Sequence, residues 1–162
     1  AQKDNTQVTF DPLVTGTCPV LSTGESCDVF ISTDTTISAS QPILVGHLLL
    51  STDGQLGDPA LAFVAPFEQF RDAYTFLVPD EYAQQYISVS AWGRRDIRVD
   101  GIDKSDALTP IADNWFGGRI PVEPGQHVLT CPDKCGLIVY GYSQAVSYLF
   151  AGGLDLAAIT LP

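Results

Sequence analysis

The C-terminal third of the chain reads, in single-letter code, WFGGRIPVEPGQHVLTC at 115–131, GLIVYGY at 136–142 and SYLFAGG at 147–153. Short runs of β-branched, aromatic and apolar residues favour strands. Residues typical of turns separate these runs at 124–125, 132–134 and 141. We therefore predict a meander of short strands, in which Cys131 and Cys135 pin the end of a hairpin across 132–134.

The rest of the chain repeats this pattern of short apolar runs and turn signals. The strand-like runs are 8–10, 28–34, 43–51, 61–65, 76–78, 85–92, 96–100 and 154–161. Segment 35–40 is interpreted as a connector, and 67–74 is the one plausible helical turn. About ten short strands predict an all-β, antiparallel β-sandwich, jelly-roll-like, with 1–162 as a single domain. The nearly unbroken apolar run 43–51 predicts a central strand.

One strand shows a clean alternation along its length. Its polar and aromatic residues fall on one face and its aliphatic residues on the other, which predicts one wet and one buried face. The two sets are Tyr86, Ser88, Ser90 and Trp92, and Ile87, Val89 and Ala91. Further along, Asp100-Gly101 predicts a hairpin turn.

Composition and charge restrict the class of partner. The chain has 162 residues, of which 45% are hydrophobic and 17% charged, and its net charge is -11. A folded acidic surface repels phosphates, so we expect no nucleic-acid partner and no attraction to anionic membranes. No apolar run approaches the roughly 20 residues needed to span a bilayer, so no membrane insertion is expected. No signal peptide is recognisable, so we expect that any such peptide was removed.

Four cysteines form two close pairs in the sequence, Cys18 with Cys27 and Cys131 with Cys135. Neither pair has the spacing that zinc sites prefer. Four cysteines allow three disulfide connectivities, and the sequence does not choose among them. Closeness favours the two local pairs. Because disulfides persist in oxidising compartments, an extracellular, periplasmic or cell-surface location is expected, and four reduced thiols in a cytosolic protein are the alternative.

One stretch resembles a catalytic motif. GYSQA at 141–145 follows a predicted strand, as the nucleophile of an α/β-hydrolase does, but that fold needs an acid and then a histidine after the serine. The last histidine of the chain is His127, so Ser143 is interpreted as a hairpin serine. Paired carboxylates for glycoside hydrolysis cannot be singled out among 19 acidic residues. We expect no catalytic residue, and a hydrolase stays a remote alternative.

Metal and cofactor sites are also weakly indicated. His47 is interpreted as a core histidine, and His127 as a strand residue facing solvent or a carboxylate. The acidic turn 100–106 could offer oxygens to Ca²⁺, but it lacks the ladder of an EF-hand, so a solvated loop is favoured. We expect no cofactor and no metal site.

Aromatic residues are the candidate binding residues, because rings supply contact area and a π-face at a small entropic cost. They are Trp92, Trp115, Phe116, Tyr142 and Tyr148. Adjacent residues of a strand point to opposite faces, so we expect one of Trp115 and Phe116 to face outward. Arg94-Arg95-Asp96-Ile97-Arg98 is interpreted as a solvated hairpin rather than a docking patch for an acidic partner.

Ordered motifs in residues 42–156 resemble the N-terminal domain family of the IgGFc-binding protein. They are GDPA at 57–60, PFEQF at 66–70, YTFLVP at 74–79, RIPV at 119–122, GQHVL at 125–129, VYGY at 139–142, SY at 147–148 and AGGL at 151–154. The resemblance implies a non-enzymatic extracellular module of the kind found in mucus proteins and in secreted or surface-attached bacterial proteins.

Two departures from that family are visible. Cys131 to Cys135 stands where relatives have a Ser-Pro-type turn followed by Phe-Gly, and no proline precedes Gly152-Gly153. No residue matches an Fc contact, so antibody binding is not carried over. We expect a binding or adhesion module for a glycan or protein partner within a larger multidomain protein. A structural stalk or inter-domain interaction module is the alternative.

Overall fold

A computed structural model describes residues 1–51 and 56–156 of the chain. These residues form strands and two short 3₁₀ turns at Phe67–Gln69 and Ser105–Ala107. The strands are β1 (Val8–Asp11), β2 (Thr36–Ala39), β3 (Gly46–Leu49), β4 (Ala60–Phe63), β5 (Arg71–Val78), β6 (Gln84–Trp92), β7 (Arg98–Val99), β8 (Ile102–Asp103), β9 (Thr109–Ala112), β10 (Trp115–Pro121), β11 (Gly125–Ser143) and β12 (Val146–Ala151).

The chain divides into two compact units. The first contains residues 1–45 and 110–115, and the second contains 46–109 and the residues from 116 onward. In the first unit β1 pairs with β2 in antiparallel register, and Thr6 bridges to Leu21. The disulfide Cys18–Cys27 closes a loop in this unit, with 5.5 Å between its Cα atoms. The single-domain assignment stays a prediction.

The second unit is built on β11, a strand of 19 residues. The first half of β11 lies between β5 and β7, and the second half lies between β12 and β6. All four of these ladders are antiparallel. The curled sheet continues in the order β8-β7-β11-β6-β10. Most strands of this unit are therefore hydrogen-bonded to β11 directly or through one neighbour.

A bulge separates the two halves of β11. Thr130 pairs with Ala73 and Cys135 pairs with Arg71, so β11 advances five residues while β5 advances two. The disulfide Cys131–Cys135 spans this excursion. Lys134 adopts a positive φ of 69°, which lets the chain turn back into register. The disulfide therefore pins the bulge that divides one continuous strand into two pairing regions.

The core lies on one face of the sheet in the second unit. On β6 the alternation of Ile87, Val89 and Ala91 places all three side chains in this core. Burying an aliphatic side chain of this size contributes roughly 1.5–3 kcal/mol. The buried residues are Tyr74, Phe76, Val78, Ile87, Val89, Ala91, Ile97, Val99, Leu108, Ile120, Leu129, Cys131, Cys135, Leu137 and Val139.

Side chains also close around the bulge. A Cβ atom at Gly136 would lie 2.5 Å from the ring of Phe70, so only glycine lets that ring pack here. The Tyr74 hydroxyl accepts a hydrogen bond from the Arg71 amide and donates one to the carbonyl of Cys135. These contacts tie the start of β5 to β11 at the disulfide.

Several expectations from the sequence are confirmed. The fold is all-β with antiparallel ladders, and the two disulfides join the cysteines that are close in sequence. Gln84–Trp92 shows the predicted wet and buried faces. Asp100 and Gly101, both with positive φ, form the turn between β7 and β8.

Other expectations were wrong. Residues 132–134 do not end a hairpin, because β11 continues through them. The run 43–51 is not a central strand, since β3 pairs with β4 in a separate two-stranded sheet. Segment 28–34 contributes only an isolated bridge at Phe30, whereas the expected connector 35–40 contains β2.

Two further segments differ from expectation. The predicted helical turn 67–74 contains a single 3₁₀ turn, and β5 begins at Arg71. The predicted final strand 154–161 lies partly outside the described residues, and 154–156 form no strand. No helix in the described ranges is long and apolar enough to cross a membrane.

The two disulfides differ in burial, and this difference makes a testable prediction. Cys131 and Cys135 are 4% and 0% exposed, whereas Cys18 and Cys27 are only partly buried. We expect the pair Cys131→Ala and Cys135→Ala to lower the free energy of unfolding by about 2–5 kcal/mol. Removing the two buried sulfur atoms also leaves a cavity in the core.

The control is the pair Cys18→Ala and Cys27→Ala. Loop entropy alone would make this control more destabilising, since its sequence separation is 9 residues rather than 4. Urea unfolding followed by circular dichroism measures both. An equal or greater loss for the control pair would contradict the structural role of the buried disulfide.

Candidate functional site

The face of the sheet opposite the core carries aromatic and polar side chains. The antiparallel register between β6 and β11 sets Tyr86 opposite Tyr140 and Gln84 opposite Tyr142. Opposed residues in a ladder share a face. We call this surface the polar face; its members are Gln84, Tyr86, Ser88, Ser90, Trp92, Tyr140 and Tyr142, with Arg119 from β10.

Arg119 lies against a tyrosine cluster on the polar face. Its guanidinium carbon lies 4.6 Å from the centroid of the Tyr86 ring, which is cation–π geometry. Tyr86 stacks in turn on Tyr140 at 5.6 Å, and Tyr140 meets the edge of Tyr142 at 5.7 Å. The cation is thus held against the Tyr86 ring, at the edge of a cluster of three tyrosines.

The local electrostatics of this cluster are set by burial and by Arg119. Burial raises the pKa of Tyr140 to about 12, although the positive charge of Arg119 acts in the opposite direction. Burial likewise raises the pKa of Tyr142, again against the effect of Arg119. Both hydroxyls are therefore neutral at physiological pH, and they can donate as well as accept hydrogen bonds.

Arg119 has no carboxylate partner in residues 1–51 and 56–156. The ion pairs there join Arg98 to Asp96, His127 to Asp100 and Lys134 to Asp155. Arg119 is exposed, and it lacks such a partner although the chain has 19 acidic residues. A positively charged side chain that is stacked, exposed and free of an ion pair is positioned to meet an external anion.

Tyr142 is also fixed by the segment before β4. A Cβ atom at Gly57 would lie 2.9 Å from the Tyr142 ring and 2.9 Å from the Ser147 hydroxyl. That hydroxyl accepts a hydrogen bond from the Asp58 amide and donates one to the Asp58 carbonyl. The Gly57-Asp58 segment therefore covers one side of Tyr142, and a glycine is required where the segment touches the ring.

Tyr148 lies on the core face of the sheet, since it is opposite Gly141 and hence on the other side from Tyr142. Its hydroxyl donates to the Gln85 side chain at 2.8 Å, and its ring meets the edge of Tyr82 at 4.6 Å. Burial raises the pKa of Tyr148 to about 12. These contacts give Tyr148 a structural role.

The other three aromatic candidates lie apart from this cluster. Trp92 is 51% exposed at the far end of β6, about 20 Å from Tyr86 at the usual rise of a strand. Phe116 packs against the core, and the Arg94 guanidinium lies 5.8 Å from its ring centroid. Trp115 is partly buried and belongs to the first unit. Of the five candidates, Trp92 and Tyr142 lie on the polar face, at opposite ends of β6, so they are not brought together.

Arg119 and Tyr86 are not among the binding residues predicted from the sequence. The alternation in β6 placed Tyr86 on the wet face, and this was the available signal. The approach of Arg119 depends on β10 lying next to β6, which is a property of strand order. No spacing in the sequence encodes that order.

His127 forms a second polar constellation, on β11. Its Nδ1 lies 2.7 Å from an Asp100 carboxylate oxygen, and its Nε2 lies 2.7 Å from the Glu123 carbonyl oxygen. Two acceptors favour a ring that donates from both nitrogens, which is the charged form. Burial opposes the charge, but these hydrogen bonds outweigh it and raise the pKa of His127.

Asp100 completes this arrangement. Its other oxygen accepts a hydrogen bond from the Val128 amide at 2.8 Å. The hydrogen bond from His127 makes the largest contribution to lowering the pKa of Asp100, and the hydrogen bond from the Val128 amide makes the next largest. The turn between β7 and β8 is thereby attached to β11, and His127 faces a carboxylate, as expected.

The remaining candidates have local structural roles. The Ser143 hydroxyl accepts a hydrogen bond from the Ala83 amide, and Ser143 closes the hairpin between β11 and β12. In the acidic turn, Asp103 binds the amide and hydroxyl of Ser105. The described residues contain no group of three histidine, cysteine or acidic side chains that could hold a metal ion.

The arginine-rich segment 94–98 makes contacts within its own unit. Arg94 donates to the Leu108 carbonyl, and Arg98 contacts Asp96 and the Gly101 carbonyl. Arg95 is exposed. These contacts favour the interpretation of a solvated hairpin over that of a docking patch.

Comparison with known proteins identifies one family. A family profile described as "IgGFc binding protein" matches residues 1–141 of the 162-residue chain. No curated protein and no solved structure match the chain. The profile match therefore stands on its own.

The His127 arrangement makes a prediction about pH. Because the pKa of His127 is raised in the fold, its charged form stabilises the fold fully below the unfolded-state pKa of about 6.5. This stabilisation is lost as the pH rises through the folded-state pKa of His127. The lowered pKa of Asp100 stabilises the fold above the unfolded-state pKa of this carboxyl, and this stabilisation is lost as the pH falls through the folded-state pKa. We expect His127→Gln to reduce stability more at pH 5.5 than at pH 8.5, as measured by urea unfolding.

His47→Gln is the control. His47 is exposed on β3 and does not lie in a core, and partial desolvation lowers its pKa. Removing a group of this kind has the opposite pH dependence, because its neutral form is favoured in the fold. A His127→Gln penalty that is the same at both pH values would show that the imidazolium does not stabilise the turn.

Proposed function

Because this chain belongs to the IgGFc-binding-protein family, we propose that it is a non-enzymatic extracellular binding or adhesion module. It recognises a protein or glycan partner through the polar face. The observation that supports this proposal most directly is the exposed guanidinium of Arg119, which lies against the Tyr86 ring and has no ion-pair partner in the part of the chain that the structure describes. Contact surfaces of proteins are enriched in tyrosine and arginine, which supply area and directional hydrogen bonds.

Rigid support strengthens the proposal. The members of the cluster come from β6, β10 and β11, which are strands rather than mobile loops. Their rotamers are held by stacking and by hydrogen bonds, such as that from the Tyr86 hydroxyl to Gln84. A preorganised surface loses little conformational entropy on binding.

An extracellular location is supported by both disulfides. The absence of catalysis is supported by the local roles of Ser143, Asp103 and His127, each of which is engaged in a turn or ladder. The partner of this chain is a proposal, and IgG Fc is one protein to be tested.

A structural interaction module within a larger protein is the second candidate. Leu48, Leu61 and Phe63 share one face of the β3–β4 hairpin, and each is more than half exposed. Contiguous exposed apolar residues mark contact surfaces in soluble proteins. A neighbouring domain that covers this hairpin would give the chain a role in assembly rather than in recognition.

Binding arrays separate the two candidates. We expect the wild-type chain, displayed on beads, to be retained by a ligand on a glycan array or on an array of extracellular proteins that includes IgG Fc. Arg119→Gln should lower retention at least about tenfold, as loss of a central contact residue does. Arg95→Gln removes the same charge from an exposed site outside the polar face and should have no effect.

Two results would contradict the proposal. Retention that Arg119→Gln leaves unchanged would place recognition elsewhere on the chain. No retention on either array would favour the interaction module, and Leu61→Ser with Phe63→Ser would then reduce assembly with an adjoining domain.

A further inference from the structure

We propose that Arg119 is a carboxylate-recognition site, and that the partner of the polar face is a protein that inserts an aspartate or glutamate side chain there. This inference rests on the proposed function in placing the partner on the polar face. It adds that the partner must present a carboxylate to Arg119.

The guanidinium geometry fits a carboxylate. The guanidinium carbon of Arg119 lies 4.6 Å from the centroid of the Tyr86 ring, and the residue is exposed. The guanidinium carries five N–H donors in a plane. These donors form the fork that binds a carboxylate through two parallel hydrogen bonds.

The charge distribution favours an acidic group from outside. The described residues supply no carboxylate to Arg119, although the chain has 19 acidic and 8 basic residues. Arg98 and Lys134, by contrast, each contact an aspartate of this chain. An arginine with no carboxylate partner among residues 1–51 and 56–156 is available to a partner's carboxylate, whereas carboxylates elsewhere on the acidic surface are repelled. A partner that places a single carboxylate at Arg119 is therefore favoured over a partner that is acidic along its whole surface.

The ring contacts favour a protein side chain over an acidic sugar. Tyr86 has Arg119 on one side and stacks on Tyr140, while the Tyr142 ring is covered by Gly57. The ring faces that these contacts occupy are not available for a sugar to stack on. What the cluster offers is the guanidinium edge and tyrosine hydroxyls, which recognise a carboxylate by hydrogen bonding.

The test uses the full chain, isotopically labelled, in NMR titrations. The probes are acetyl-Gly-Gly-Glu-Gly-Gly-amide, the same peptide with glutamine in place of glutamate, and N-acetylneuraminic acid. We expect the glutamate peptide to shift the Arg119 side-chain NH and the ring signals of Tyr86 and Tyr142 saturably. The glutamine peptide should bind at least tenfold more weakly.

Variants provide the matched controls. Arg119→Gln should abolish the glutamate-specific shifts, and Arg119→Lys should weaken them, because lysine lacks the planar fork. Arg95→Gln, which makes the same change of net charge, should bind as the wild type does. Unchanged backbone spectra show that each variant is folded. If Arg119→Gln does not fold, Arg119→Lys still tests the site.

Three outcomes would overturn the inference. They are equal shifts with the glutamate and glutamine peptides, undiminished binding to Arg119→Gln, and tighter binding of N-acetylneuraminic acid than of the glutamate peptide. If these occur while array binding by the chain persists, the module function stands and the carboxylate site fails. If the peptide binds but the arrays show no ligand, the site stands and the proposed function fails.

Discussion

The second unit depends on one constraint, the need of β11 to pair with different strands along its two halves. Gly125 to Thr130 pair with β5, and Ile138 to Ser143 pair with β12 on the same side. Each buried amide and carbonyl of β11 must find a partner. On the other side of β11 the neighbour changes from β7, which pairs at Leu129 and Thr130, to β6, which pairs from Cys135 onward, and the bulge lies between these two pairing regions. The disulfide fixes the position of that bulge, and with it the register of both halves.

That register determines what each face of the sheet presents. Because Tyr140 is opposite Tyr86, the two rings stack, and β10 then brings Arg119 over the outer side of Tyr86. A shift of one residue in β11 would exchange the two faces. Tyr148 is opposite Gly141, the residue before Tyr142, and therefore lies on the other face, where it contacts Gln85 and Tyr82. The arrangement of the polar face is thus a consequence of where the bulge lies.

The sequence predicted the features that depend on local patterns. The alternation in Gln84–Trp92 gave a strand with a wet face, and Asp100-Gly101 gave a hairpin turn, because these signals act over a few residues. The same local signals misled at 132–134, where turn residues form a bulge instead of a hairpin end. The apolar run 43–51 carries no information about which sheet it joins, and its hairpin with β4 is exposed. Arg119 could not be selected from the sequence, because its partners come from β6 and β11.

Amide hydrogen exchange on the full chain tests the role of β11 most directly. If β11 is the strand on which the second unit depends, the amides of Leu129 and Val139, one in each half, should be among the slowest to exchange and should exchange together. Reduction of the disulfide Cys131–Cys135 should accelerate both. Independent exchange of the two halves, or protection that is unchanged on reduction, would contradict the account.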